Sequence, residues 1–219
     1  MPQILTTICD IIGGFLLSHS VGSKVFNRIA GHGRGWVFTP AHFKDLGSRT
    51  AVATALKRHK QKGTIRQIAR GLYDFPRKDS ELGVLAPQVD KIIAALEVRF
   101  TVRLQPSGAY AANLLGLSDQ VPMRMVFLTD GHPHELTVGK RHIILRRTTP
   151  KNMKTAGRLS GTVIQALRWL GKHNVDENTV AILKQHLNSD EKVQLMKDSS
   201  YSPVWIAEVI MSIAQEGID

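Results

Sequence analysis

Seven cationic side chains, Arg49, Lys57, Arg58, Lys60, Lys62, Arg66 and Arg70, fall within 22 consecutive residues that contain no aspartate or glutamate. The chemistry they share is the neutralisation of a polyanion. An ordinary solvated face mixes both signs of charge, so an acid-free run of this length points to a partner rich in phosphate. Small and hydroxylated residues, Ser48, Thr50, Ala53 and Thr54, are interleaved with the cations. Residues of that size let a helix approach the base edges of the DNA major groove, where donor and acceptor patterns differ between base pairs.

The whole chain supports a polyanionic partner. Its 219 residues carry 29 lysines and arginines against 18 acids, a formal charge of +11, and its isoelectric point is about 10.0. The surplus is uneven: 13 basic and 5 acidic residues lie within 1–85, and 16 and 13 in the remainder. Hydrophobic content is 42%, typical of a chain that buries a core. Residues 1–20 are apolar (Ile4, Leu5, Ile8, Ile11, Ile12, Phe15) but contain Asp10 and lack a basic leader. They are too short to span a bilayer, and are read as an N-terminal packing extension with no membrane partner. Cys9 is the single cysteine, which precludes an internal disulfide and a cysteine-based zinc site and fits a reducing cytoplasm.

Positioning the cationic run requires a rigid frame, and the flanking residues predict one. Residues 23–30 read as a helix capped by Ser23, with Val25, Phe26 and Ile29 inward. Trp36-Val37-Phe38 reads as a strand. Thr39-Pro40 starts a helix over 40–46 that Gly47 ends, since proline is favoured at the first helical position. After a two-residue turn, Ser48 caps a helix over 49–62 stopped by Gly63. That helix turns Val52, Ala55, Leu56 and His59 one way and Arg49, Thr50, Ala53, Thr54, Lys57, Arg58 and Lys60 the other. Residues 64–69 and 72–75 form two strands about Arg70-Gly71. Two helices joined by a tight turn and followed by a hairpin are the construction of a winged helix-turn-helix, here 21–76. In that frame Ser48, Arg49, Thr50, Ala53 and Thr54 head the recognition helix and address bases. Lys57, Arg58, Lys60, Arg66 and Arg70 address phosphates.

Beyond a polar linker at 77–86, an α/β region spans 87–150. It has helices over 87–100 and 107–115 and a small antiparallel sheet of three strands (123–129, 135–138, 141–147). A helical region follows over 151–219, with helices at 159–170, 176–187, 189–197 and 203–215, the last capped by Ser202. The fold class is therefore α+β.

Several of these blocks resemble a known family. Gly35-Trp36-Val37-Phe38-Thr39-Pro40, Asp45-Leu46-Gly47-Ser48-Arg49 and Ile68-Ala69-Arg70-Gly71-Leu72-Tyr73 are similar to the start of AbiEi-type antitoxins. These are the repressor halves of bacterial abortive-infection toxin–antitoxin pairs. Pro106-Ser107-Gly108-Ala109-Tyr110, Gln120-Val121-Pro122 and Leu128-Thr129-Asp130-Gly131 follow in the order of that family's second domain. The resemblance covers 31–147, while 1–20 and 151–219 depart from it. It implies an autoregulatory repressor that binds operator DNA and counteracts a nucleotidyltransferase-like toxin. Two alternatives stay open: a winged-helix regulator whose C-terminal helices serve dimerisation or effector sensing, and an RNA-binding protein.

The residues give little support to catalysis, and neither cofactor nor metal is expected. Asp130, Glu135 and Lys140 lack the spacing of a nuclease metal site. His132 and His134 have no third ligand in the sequence. Ser107 and Ser160 sit in no nucleophile elbow. The glycines at 31, 33 and 35 precede a strand instead of joining a strand to a helix, so they form no dinucleotide loop. Arg141, Arg146, Arg147, Lys151, Lys154 and Arg158 form a second basic cluster, open to either a solvated or a nucleic-acid reading.

Overall fold

The computed structural model of the chain describes residues 20–215, so the apolar extension and Cys9 lie outside the described residues, Ser20 excepted. The chain divides into two compact units between Phe100 and Thr101.

In the first unit, α1 (Val21–His32) is capped by Ser20, whose hydroxyl accepts the Ser23 N–H at 3.1 Å; Ser23, the expected cap, is the donor. Strand β1 (Val37–Phe38) leads into Pro40–Phe43, a 3-10 turn where a helix over 40–46 was expected. The chain is held to i→i−3 bonds there, His42 N–H to Thr39 and Leu46 N–H to Phe43. His42 Nδ1 also accepts the Thr39 N–H at 3.2 Å. Burial lowers the pKa of His42, which favours the neutral ring that this bond needs. Helix α2 (Arg49–Gln61) follows, then β2 (Arg66–Ala69) and β3 (Leu72–Asp74). The three strands form an antiparallel sheet in the order β1-β3-β2. Val25, Ile29, Phe38, Phe43, Val52, Ala55, Leu56 and Ile65 make a single core under it, with Trp36 and Tyr73 packed alongside.

The segment 77–86, expected as a linker, contains a small hairpin, β4 (Lys78–Asp79) with β5 (Gly83–Val84). Helix α3 (Val89–Phe100) buries Ile92, Ala95 and Leu96 and packs beside β1 and the 3-10 turn. That packing places α3 in the first unit and moves the boundary from the polar segment to Phe100.

The second unit joins the two regions expected as separate. Strands β6 (Leu104–Ser107), β7 (Arg124–Thr129), β8 (His134–Val138) and β9 (Arg141–Arg147) form one sheet in the order β6-β7-β9-β8. The outer pairings are antiparallel, as anticipated for the sheet, but the central pair β7–β9 is parallel. Helix α4 (Gly108–Leu114) follows β6. The remainder is helical: α5 (Leu159–Leu170), α6 (Glu177–His186), α7 (Ser189–Asp198) and α8 (Val204–Ala214). Pro203 precedes α8 as its cap, and the Ser202 hydroxyl donates instead to the Ser199 carbonyl. Ala111, Ala112 and Leu115 share one core with Val163, Leu167, Leu183, Leu195, Ile206 and Ile210, so α4 and the C-terminal helices fold together. The buried Gln105 amide reaches from β6 to Thr162 of α5 at 3.2 Å. The fold is thus mixed α+β with small sheets and C-terminal helices. No helix among the described residues is long and apolar enough to cross a membrane.

Candidate nucleic-acid interface

Helix α2 carries most of the residues singled out by sequence. Its start is fixed by Ser48, whose hydroxyl accepts the Ala51 N–H at 3.2 Å. Its end is fixed at Lys62, whose N–H reaches the Arg58 carbonyl at 3.0 Å. Val52, Ala55 and Leu56 are buried, and α1 packs against the helix. Ser48, Arg49, Thr50, Ala53, Thr54, Lys57, Arg58 and Lys60 are all exposed. The split follows from the helical period, since residues three and four apart share a face. Ser48→Ala is expected to lower the stability of the unit by about 1 kcal/mol, the usual cost of a lost hydroxyl cap; thermal unfolding would measure it.

Two predicted contacts take other partners. Arg66 turns to its cross-strand neighbour Asp74, with nitrogens 3.0 and 2.5 Å from the two carboxylate oxygens. A further bond reaches the Leu85 carbonyl at 3.0 Å. The carboxylate beside it raises the guanidinium pKa further. Asp74 is almost wholly buried, so Arg66 is committed to the fold of this unit and does not join the outward row. Lys60 stays exposed but donates to Gln67 Oε1 at 2.7 Å, tying the end of α2 to β2.

Arg70 occupies the tip of the β2–β3 hairpin and is exposed. The turn depends on Gly71, whose φ of +70° suits glycine best. Behind it Arg99 of α3 donates to the Arg70 carbonyl at 2.8 Å. Sequence reasoning missed Arg99, because only tertiary packing brings α3 to the hairpin.

Electrostatics favour an anion here. Asp45 and Asp74, the two acids of 21–76, are each gripped by an arginine of the same unit. Arg28 meets both oxygens of Asp45 at 2.7 and 2.6 Å and holds its carboxyl down to about 2. Arg49, Lys57, Arg58, Lys62 and Arg70 make no ion pair among the described residues. No carboxylate of the described residues therefore offsets the outward row.

The other candidates are scattered. Asp130 accepts the Arg103 N–H at 3.1 Å, and no group of three metal-ligating side chains occurs among the described residues. The Ser160 hydroxyl is buried and donates to Asp198 at 2.6 Å. In the second basic cluster Arg158 pairs with Asp198, while Arg146, Arg147, Lys151 and Lys154 are exposed.

The sequence pattern of one family matches residues 24–195, more than half of the chain. The chain belongs to DUF6088, a family of unknown function. The match runs from α1 of this DUF6088 chain into α7, and so covers both compact units. No curated protein matches the chain.

Proposed function

We propose that 21–76 form a winged helix-turn-helix that binds double-stranded DNA, with α2 as recognition helix and the β2–β3 hairpin as wing. We also propose that the chain is the autoregulatory repressor and antitoxin of a toxin–antitoxin pair. The DNA reading is carried by one observation: α2 exposes Arg49, Thr50, Ala53, Thr54, Lys57 and Arg58 on one side, with no acid over 22 residues. In this reading Arg49, Thr50 and Thr54 address base edges from the N-terminal half of the helix. Lys57, Arg58, Lys60 and Arg70 hold phosphates. The antitoxin role is supported by the sequence resemblance over 31–147. It makes a nucleotidyltransferase-like toxin the second partner, counteracted by the C-terminal unit.

The test is fluorescence anisotropy with the DNA upstream of this gene against a scrambled duplex, across a salt series. A preference for the upstream duplex that persists as salt rises supports the repressor. Equal binding that collapses on both duplexes overturns it. Arg49→Ala should cost about tenfold on the preferred duplex and little on the scrambled one, whereas Arg70→Ala should weaken both alike. Equal losses on both duplexes for Arg49→Ala would remove it from base reading. Co-expression with an adjacent nucleotidyltransferase gene tests the antitoxin role: growth rescued by this chain supports it, and unrelieved toxicity rejects it.

A further inference from the structure

A cavity of about 340 Å³ opens in the first unit where the 3-10 turn, the first turn of α2 and helix α3 meet. Pro40, Ala41, Gly47 and Val52 line it together with three cationic chains, Lys44, Arg49 and Arg99. No carboxylate of the described residues lines it. Asp45, adjacent to Lys44 in sequence, is held by Arg28 on both oxygens. Lys44 and Arg49 make no ion pair among the described residues. Arg99 spends one donor on the Arg70 carbonyl, and a guanidinium has five.

Three positive groups lining one concave site repel one another, and water screens part of that repulsion because Lys44 and Arg49 are exposed. That cost is relieved by an anion with several acceptor oxygens. Phosphate fits, because arginine forks and lysine ammonium groups make short charge-assisted bonds to it.

We propose that this cavity holds a phosphate group. Two sources share that chemistry: a backbone phosphate of bound DNA, and a free phosphorylated small molecule. The first rests on the DNA-binding reading and the second does not. Arg49 belongs both to the cavity and to the outward face of α2, so a phosphate seated here also fixes the head of that helix. In the first case Lys44 and Arg99 hold the backbone phosphate as DNA contacts outside the predicted set, and Arg49, at the rim, stays turned to a base edge. In the second, the small anion is held by the same three cations, whether or not the chain binds DNA.

The experiment uses the full chain, the variant Lys44→Gln, and Lys197→Gln in the other unit as a charge-matched control. Pyrophosphate is titrated by amide NMR, and a random 20-base-pair duplex by anisotropy over a salt series. The amides of Lys44, Gly47 and Arg49 should shift with pyrophosphate at millimolar levels. Lys44→Gln should weaken that at least tenfold while Lys197→Gln leaves it unchanged. With duplex, Lys44→Gln should flatten the slope of log affinity against log salt by about 0.9, the loss of one phosphate contact.

An effect on duplex alone makes backbone phosphate the occupant, and an effect on pyrophosphate alone makes it a free phosphorylated compound. If the wild type binds duplex but Lys44→Gln keeps its slope, and pyrophosphate moves no amide, the phosphate site is overturned while the DNA reading stands. If no duplex binds yet the pyrophosphate effect persists, the DNA reading falls and the site stands. Failure of both removes both.

Discussion

Arg66→Ala is expected to destabilise the first unit by about 2–3 kcal/mol. Asp74 is 1% exposed, and its carboxylate receives two nitrogens of Arg66. Removing the arginine leaves a buried charge without its counter-charge. That loss costs about 3–5 kcal/mol in a fully enclosed pair. Here the Arg66 side chain is 35% exposed, so water screens part of the interaction and the lower figure is appropriate. Amide hydrogen exchange in β3 reads the effect without a global transition, and about 2–3 kcal/mol corresponds to exchange faster by roughly 30- to 150-fold. Arg66→Lys should recover only part, because an ammonium cannot bridge both oxygens. Unchanged exchange together with weakened DNA binding would instead return Arg66 to the phosphate role that its place in the cationic run suggested.

The second large effect is centred on Asp198 in the other unit. Its carboxylate lies at the end of α7 and is 2% exposed. Arg158 donates to it at 2.5 Å, Ser160 at 2.6 Å and Gln194 at 3.1 Å. Burial pushes the carboxyl up more than any single partner pulls it down. Ser160, Arg158 and Gln194 together nonetheless hold it below its ordinary value. A group depressed in the folded state contributes stability above its unfolded pKa, about 3.9 for aspartate. That contribution is lost as pH falls through the lower folded value. Urea midpoints for the second unit should therefore fall below about pH 4, and Asp198→Asn should remove its share of that decline. Asp198→Ala should cost about 2–3 kcal/mol at neutral pH, because the buried Ser160 hydroxyl loses its acceptor. The loss stays below that of an enclosed pair, since Arg158 is 45% exposed and can turn to water. A pH profile identical in wild type and Asp198→Asn would show that other carboxyls govern the acid transition.

Much of this architecture was legible where periodicity and caps agree. Helix α5 runs from Leu159 to Leu170, as the apolar spacing predicts, and α2 differs from its expected span only at its final residue. Strand β6 falls where no strand was expected, between the helices over 87–100 and 107–115, and takes in Ser107, the first residue of the second. Its strand character comes from pairing with β7, at a sheet edge where a proline is tolerated. The fate of Arg66 was equally hidden. Counting back from Ala69 opposite Leu72, a regular hairpin sets Arg66 against Phe75. A register shift between Gln67 and Ala69 moves it onto Asp74. An irregularity of one residue thus separates an arginine free for phosphate from one bound to its own fold, and no local pattern in the sequence marks it.

The parallel pairing of β7 with β9 has a consequence for how the chain assembles. Strand β9 lies between β7 and β8 yet is the last of the four to be synthesised. Until it arrives, β8 has no partner and β6–β7 presents an unfinished edge. Strands β8 and β9 are joined by only Gly139 and Lys140, with Val138 opposite Arg141 and a Gly139 φ of +61°. This is the form of tight turn that closes locally and early. The expected sequence of events is a β8–β9 hairpin that docks sideways onto β7 as one piece, with the slower, longer-range pairing coming second. Before that docking the β7 edge stands open to edge-to-edge pairing, and a tight Gly139 turn is expected to shorten that interval.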